Sequence, residues 1–278
     1  PNPIIKKLNI IKHSKSKKLI HAAKAIMTTD TYPKIAFETL KIKENTIRIY
    51  GIAKGSGMIA PNMGTMLSYI FIEASLSKKS LYKLLNDNIS DTFNSISVDG
   101  DTSTNDTVML FSVGDTKLGN IKKNTQIFRL ISISLKKVMS KLAKQIVCDG
   151  EGISKLIEVN ISNAKSKIQA KKIAFAIAES MLVKTAIYGG DANWGRIIMA
   201  VGKTSEQVNQ NKLSLKIGNF VIVNNGKISS KLNENHLKKY MKNKIIKIDL
   251  NLKMGLFNQT VWSSDLTNKY IEINAGYR

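Results

Sequence analysis

A long amphipathic segment near the middle of the chain most constrains what this sequence can fold into. TQIFRLISISLKKVMSKLAKQIV, residues 125–147, ends at the turn CDGEG and has apolar residues at helical spacing: Ile127, Ile131, Leu135, Val138 and Leu142. A helix with one apolar stripe has to pack that stripe against other elements. Because strand-like segments lie before and after it, the sequence predicts a long helix packed on β-sheet.

The rest of the chain mixes strands and helices without a regular βαβ order. IAFETLKI and NTIRIYGIA alternate as the strands of a hairpin, and the second runs directly into the glycine-rich stretch KGSGMIAPNMGTML. Further strands are predicted over MLSYIFIEA, KLIEVNIS, LSLKIG, FVIVN, KIIKIDLNL and YIEINAG. Further helices are predicted over SKKLIHAAKAIM, SKKSLYKLLNDNI, ENHLKKYMKNK and, as one continuous helix, AKSKIQAKKIAFAIAESMLVKTAIYGG. The predicted fold class is therefore α+β, a layered sheet-and-helix sandwich.

The charge of the chain is strongly basic, which raises the question of nucleic-acid binding. There are 43 Lys and Arg residues against 20 Asp and Glu, a formal net charge of +23. All but four of these cations are lysines, and they are scattered along the whole chain. The planar guanidinium groups that bind bases and phosphates through two hydrogen bonds are nearly absent. We predict a solvated lysine surface and no nucleic-acid partner, with a lysine-rich nucleic-acid-binding protein as the alternative from another class.

Cysteine content and hydropathy indicate a cytoplasmic protein. Cys148 is the only cysteine, so no internal disulfide forms, and no Cys/His cluster predicts a metal site. No apolar run approaches the roughly 18 to 20 residues that span a bilayer, and we predict no membrane partner. The chain begins at Pro1 without a start-of-domain signal, so we expect further residues upstream.

Three loop motifs match known ligand-binding loops only in part. GSGMIA, residues 55–60, has dinucleotide-loop spacing, but Pro61 and Asn62 interrupt the helix that would have to follow. DGDTSTND, residues 99–106, lacks the glycine and glutamate of a calcium loop and predicts a rigid turn beside a site. GGDANWGRI, residues 189–197, lacks the Lys and Ser/Thr of a P-loop and predicts a tight turn or a pocket wall.

If the protein is an enzyme with a covalent mechanism, its nucleophile must be activated without a histidine base. The three histidines lie in lysine-rich segments away from any nucleophile motif. An N-terminal threonine can use its own α-amine as the base. Thr65, at the join between the glycine-rich loop and a strand, suits this route because Gly64 permits unusual backbone conformations. The chemistry alone does not decide between this catalytic role and a purely structural role for Thr65.

Six ordered motifs carry a resemblance to a known family. They are AAKAIMTTDTYPK, IAKGSGMIAPNMGTML, SVDGDTSTNDT, CDGEG, GGDANWGRI and WSSDLTNKYIEINAGYR. By these motifs the chain resembles the ornithine acetyltransferase (glutamate N-acetyltransferase) family of arginine biosynthesis. The resemblance implies an N-terminal-nucleophile type of sandwich, with sheets between helices.

The resemblance also implies self-processing. Cleavage between Gly64 and Thr65 would make residues 1–64 the end of a first chain and residues 65–278 a second chain that stays bound to it. Thr65 would then be the nucleophile, with its α-amine as general base, and would carry acetyl from N2-acetylornithine to glutamate. Some members of that family also accept acetyl-CoA as a co-substrate; no other cofactor is implied. The family further suggests a homo-oligomer of two-chain units.

Residue by residue, the resemblance places substrate contacts at Thr31, Lys54, Thr65, Glu151 and Asn274. A lysine suits a substrate carboxylate, a glutamate suits an ammonium, and an amide suits either. A related self-processing aminopeptidase, which would use the same threonine to hydrolyse amino-terminal residues, is the closer alternative.

The sequence departs from that family in three places. Gly64 stands where most relatives have alanine, and relatives continue beyond Arg278 to a further substrate-binding threonine. The family's oxyanion-stabilising Thr-Gly pair lies upstream of the segment that matches Pro1. Because losing one oxyanion donor lowers the rate by about 10² to 10³, we expect this segment alone to be nearly inactive and, with sheet faces uncovered, poorly soluble.

Overall fold

The computed structural model describes residues 18–60, 66–101, 106–114 and 119–276. Helices in this part of the chain are α1 (Leu19–Ala25), α2 (Lys78–Ile89), α3 (Gln126–Cys148), α4 (Lys167–Ala178), α5 (Met181–Tyr188), α6 (Trp194–Gly202), α7 (Glu234–Tyr240) and α8 (Asn268–Ala275). Strands are β1 (Lys34–Ile42), β2 (Asn45–Lys54), β3 (Leu67–Ile72), β4 (Ile96–Ser97), β5 (Thr107–Ser112), β6 (Leu156–Ala164), β7 (Ser214–Ile217), β8 (Phe220–Asn224), β9 (Lys227–Ile228), β10 (Ile245–Asn251) and β11 (Phe257–Ser264).

The first sheet has four strands in the order β1-β2-β3-β5. The β1 and β2 strands form the predicted hairpin, and its two-residue turn places Lys43 at φ 52°, a left-handed conformation. β3 pairs antiparallel with β2 and parallel with β5. The β2–β3 register sets Lys54 opposite Leu67, so the end of one strand adjoins the start of the next.

The long predicted helix is present as α3, and it organises the first core. Thr125 caps its N-terminus by accepting a hydrogen bond from the Phe128 amide. Its apolar stripe, including the fully buried Ile131, Leu135 and Leu142, packs against β1 and β2. The same helix also contacts β4 and β11 of the second sheet, so α3 joins the two sheets.

The second sheet has seven strands in the order β4-β11-β6-β10-β7-β8-β9. Its pairings are mixed, since β6 and β10 are parallel whereas β11 and β6 are antiparallel. A second core forms where buried residues of α4, α5, α6 and α7 pack on this sheet. The layered arrangement confirms the predicted α+β class.

The outer face of the four-stranded sheet carries an aromatic row. Phe37, Tyr50, Phe71 and Phe111 lie opposite one another on successive strands. Tyr50 stacks on Phe71 at 5.5 Å between ring centroids, and Phe71 stacks on Phe111 at 5.1 Å. Phe37 is 70% exposed, so this face is left uncovered by the described part of the chain.

Three secondary-structure predictions were wrong in part. The predicted continuous helix after β6 is two helices, because Ser180 accepts from the Val183 amide and starts a new helix there. YIEINAG is not a strand but most of α8, which begins at the capping residue Thr267. GGDANWGRI contains the predicted turn, but Asn193 then caps helix α6, which the sequence analysis missed. Strand β11, which lies elsewhere in the chain, was missed as well.

Candidate active site

A polar cleft opens where β2 ends and where the turn after α3 meets α8. Its volume is about 680 Å³, a size typical of small-molecule sites. Three predicted substrate contacts from distant parts of the sequence, Lys54, Glu151 and Asn274, line it together with Thr28 and Thr29. A larger cleft of about 800 Å³, beside α5, α6 and α7, contains none of the predicted contacts.

Lys54 supplies the positive charge of the cleft. It is the last residue of β2, it is buried, and its Nζ donates to Thr28 Oγ1 at 3.3 Å. No ion pair joins Lys54 to a carboxylate among the residues that the structure describes. Because a buried ammonium is unfavourable without an anionic partner, Lys54 can bind a carboxylate that enters the cleft.

Glu151 supplies a negative charge from the turn that follows α3. Its backbone amide donates to the Ser56 carbonyl at 3.0 Å, and its Oε2 accepts from Asn274 Nδ2 at 3.2 Å. A Cβ on Gly57 would lie only 2.7 to 2.9 Å from the carboxylate atoms of Glu151. The glycine at position 57 therefore makes room for this carboxylate, which can accept from a substrate ammonium.

Tyr270 adds a neutral hydroxyl beside these charges. It lies one turn before Asn274 in α8 and lines the same cleft. Burial, and then the negative charges of Asp99, Asp101 and Glu151, raise the pKa of Tyr270 to about 12. The phenol is therefore protonated at neutral pH and can donate a hydrogen bond to a ligand in the cleft.

A buried ionic cluster holds the loops behind the cleft. Lys34 is fully buried, with its Nζ 2.5 Å from Asp30 Oδ1 and 2.6 Å from Asp149 Oδ2. Asp30 also accepts from the Gly55 amide at 2.7 Å and from the Thr28 amide at 3.1 Å. The cluster thus joins the TTDTYPK loop, the glycine-rich loop and the end of α3.

Thr31, also predicted to contact substrate, lies outside the residues that line the cleft. Its hydroxyl and its amide both donate to the Asp149 carboxylate, the amide at 2.9 Å. Thr28 and Thr29 of the same motif line the cleft instead. The contact of Thr31 with substrate stays a prediction.

Gly64 and Thr65 lie outside the described residues, and the structure resumes at Met66 directly before β3. The sequence analysis missed the roles of Asp30, Lys34 and Asp149. All three occur within motifs that it quoted, but a contact across more than a hundred residues has no local signature.

The described ranges hold neither a metal-ligand cluster nor a membrane-spanning helix. No group of three or more His, Cys, Asp or Glu side chains there has an arrangement that could hold a metal ion. None of the helices described has both the length and the apolar character needed to cross a membrane.

The fold and the cleft define an α+β protein of layered sheets, with a lysine and a glutamate lining a polar cleft of small-molecule size. The chain belongs to the ArgJ family, whose model matches residues 2–278. The predicted family resemblance is confirmed.

Curated relatives and one solved structure agree with this assignment. The chain is 44% identical to the arginine biosynthesis bifunctional proteins ArgJ of Brucella melitensis and Bartonella henselae, over 92% and 97% of its length. It spans 63% of the length of the Brucella protein and 66% of the Bartonella protein. The crystal structure of the Bacillus halodurans arginine biosynthesis bifunctional protein ArgJ superposes with a TM-score of 0.71 at 37% identity. That match covers 77% of this chain and 100% of the solved chain, and it confirms the predicted ornithine acetyltransferase-like fold.

Proposed function

We propose that the protein is an acetyltransferase of arginine biosynthesis that moves acetyl from N2-acetylornithine to glutamate through an acetyl-threonine at Thr65. The observation that carries this proposal is the cleft in which Lys54, Glu151 and Asn274 meet. Both substrates carry carboxylate groups, and glutamate and ornithine also carry an ammonium. Lys54 suits the carboxylate, Glu151 suits the ammonium, and Asn274 orients Glu151.

The proposed maturation step creates the nucleophile. The Thr65 hydroxyl oxygen attacks the Gly64 carbonyl carbon, the peptide C–N bond breaks, and the released α-amine takes up the hydroxyl proton. Water then hydrolyses the resulting ester, which leaves the Gly64 carboxylate and a free Thr65 hydroxyl. Residues 65–278 make up 77% of the chain, and the match to the solved relative covers a share of the same size, 77% of this chain and 100% of that chain. This equality of length supports the proposed boundary at residues 64 and 65.

The proposed acetyl transfer then runs in two halves at the same hydroxyl. Thr65 attacks the acetyl carbonyl of N2-acetylornithine while its α-amine takes the hydroxyl proton, and that proton passes to the departing ornithine nitrogen. Glutamate next occupies the cleft, and its amine, once deprotonated, attacks the carbonyl of the acetyl-threonine ester. The ester C–O bond breaks, and the proton that the attacking nitrogen loses passes by way of the Thr65 α-amine to the threonine oxygen, which restores the hydroxyl. The curated relatives are named bifunctional, and the second activity that we propose for this protein uses acetyl-CoA as the acetyl donor.

The wider setting is part of the same proposal. The two chains stay bound after cleavage, several two-chain units form a homo-oligomer, and the protein works in the cytoplasm. Thr31, whose hydroxyl bonds to Asp149, is retained among the proposed contacts beside Lys54, Thr65, Glu151 and Asn274.

Intact-mass analysis combined with an acetyl-transfer assay tests the proposal. The protein expressed from its complete reading frame should appear as two fragments that meet at the Gly64–Thr65 bond, and it should acetylate glutamate from N2-acetylornithine. Thr65→Ala should abolish both, whereas Thr46→Ala, at an exposed position of β2, should change neither. Full transfer activity in Thr65→Ala would contradict the proposal. If water intercepts the acyl-enzyme faster than glutamate does, the aminopeptidase alternative is favoured.

A further inference from the structure

Two aspartates at the ends of the DGDTSTND motif bind backbone amides on either side of residues 60–65. Asp99 accepts from the Met58 amide through Oδ2 at 2.7 Å and from the Ile59 amide through Oδ1 at 3.0 Å. Asp106 accepts from the Met66 amide through Oδ1 at 2.6 Å. Two aspartates of one sequence motif therefore bind the two flanks of the segment that contains the proposed cleavage bond.

Backbone hydrogen bonds repeat the same arrangement at both flanks. The Ile59 carbonyl accepts from the Val98 amide at 2.7 Å, and the Met66 carbonyl accepts from the Thr107 amide at 3.0 Å. Ile59 and Met66 are thus each held at both of their backbone polar groups. These contacts come from two pairs of adjacent residues: 98–99 hold Met58 and Ile59, and 106–107 hold Met66.

We propose that Asp99 and Asp106 are positioning residues for self-cleavage, which fix the two ends of the segment that carries Gly64 and Thr65. The inference rests on the proposed function, since without cleavage there is nothing to position. Intramolecular attack requires the hydroxyl and the carbonyl to be held in a narrow range of geometries. Fixing both ends of a short segment removes much of the backbone freedom that would otherwise oppose this arrangement.

The Asp106 contact serves the nucleophile before and after cleavage. The Met66 amide belongs to the peptide bond that follows Thr65, and breaking the bond before Thr65 leaves that amide intact. Burial raises the pKa of Asp106, and the Met66 amide and the charge of Lys54 oppose that rise. Asp106 therefore stays bonded to the start of the second chain in both states.

The two aspartates differ in how many oxygens they use, which gives a sharp test. Asp106 accepts from Met66 through one oxygen, so an asparagine can preserve the bond with its amide oxygen. Asp99 uses both oxygens for Met58 and Ile59. An asparagine at position 99 would present an NH₂ group to one of these two amides and lose that bond.

Cleavage rates measured by intact mass on freshly synthesised full-length protein test the inference. Asp106→Ala should slow cleavage at the 64–65 bond at least tenfold, and Asp106→Asn should restore it to within about threefold of the parent rate. Asp99→Asn should remain slow. Asp87→Ala, which removes an exposed partner of Lys83, is the control and should cleave at the parent rate.

The outcomes separate the inference from the proposed function. If the parent cleaves and Asp106→Ala keeps its rate while folded by circular dichroism, the inference is wrong and the proposed function stands. Equal loss in Asp106→Asn and Asp106→Ala also overturns it, because the charge and not the anchoring bond would then matter. If the parent protein never cleaves, both the inference and the proposed function are wrong.

Discussion

At the scale of single residues, the buried Lys34 explains how two loops far apart in sequence stay together. Its ammonium lies between Asp30 and Asp149 with no solvent exposure. Removing one member of a buried ionic cluster leaves uncompensated charge in the interior. The loops that carry Thr28 and Glu151 therefore depend on this one side chain.

Lys34→Met should lower the free energy of unfolding by about 3 to 5 kcal/mol, since two buried carboxylates would lose their cation. Urea denaturation measures this change. Lys83→Met removes an exposed ion pair with Asp87 and should lower the same quantity by about 1 kcal/mol or less. Equal effects of the two substitutions would contradict a structural role for the cluster.

The same cluster predicts a dependence of stability on pH. Burial by itself raises the pKa of Asp30, but the hydrogen bond from Lys34 and the Gly55 and Thr28 amides outweigh it, so the pKa lies below the usual value. A carboxyl with a lowered folded-state pKa adds stability that is present above its unfolded pKa of about 3.9 and is lost as the pH falls through the folded value. Unfolding free energies measured from pH 6 downward should decline below about pH 4, and less steeply in Asp30→Asn. Equally steep declines in the parent and in Asp30→Asn would refute the lowered pKa of Asp30 as the cause.

The two charges in the cleft should affect substrate binding more than turnover. A charge-assisted hydrogen bond contributes about 1.5 to 3 kcal/mol, so Lys54→Met and Glu151→Gln should each raise KM for glutamate by about tenfold to a hundredfold. Steady-state kinetics on the cleaved enzyme measure this. Glu44→Gln, in the exposed hairpin turn, should leave KM unchanged. A KM within twofold of the parent value in both cleft variants would show that Lys54 and Glu151 do not bind glutamate.

At the scale of elements, the sequence predicted correctly those helices and strands whose structure is set by a local pattern of apolar residues. The β1–β2 hairpin and α3 have clear periods of two and of 3.6 residues, and both were predicted correctly. The alternation in YIEINAG was misleading because no residue of α8 is fully buried, Tyr270 being half-buried, so no helical period of apolar residues is imposed. The Thr267 cap decides its structure. The cleft residues Lys54, Glu151 and Asn274 were identified through family motifs. The Asp30–Lys34–Asp149 cluster, a tertiary contact, was found only in the structure.

The cap of α8 should couple this helix to the cleft. The Thr267 hydroxyl oxygen accepts from the Tyr270 amide at 3.1 Å, and the same hydroxyl donates to the Gly152 carbonyl at 2.6 Å. Thr267→Ala should lower stability by about 1 kcal/mol and raise KM, because Tyr270 and Asn274 would shift, whereas Thr267→Ser should keep both. Thr125→Ala, which removes the cap of α3, should lower stability similarly without raising KM. An unchanged KM in Thr267→Ala would show that α8 holds its place without this cap.

At the scale of the whole molecule, the proposed chain boundary divides one sheet between two chains. Strands β1 and β2 would belong to the first chain, and β3, β5 and helix α3 to the second. All six residues of β3 pair with β2, and α3 packs its buried stripe on β1 and β2. Cleavage at residues 64 and 65 would therefore leave the main hydrogen bonds and the core between the chains intact.

The cleaved protein should consequently remain one particle under native conditions. Size-exclusion chromatography should give a single species in which both fragments co-elute, because separating them would expose the core between α3 and the sheet. Concentrated urea should release two fragments from the parent and a single polypeptide from Thr65→Ala, which should elute natively at the same position. Dissociation of the fragments in native buffer would contradict the division of the sheet. In that case the boundary would have to lie where no strand pairing crosses it.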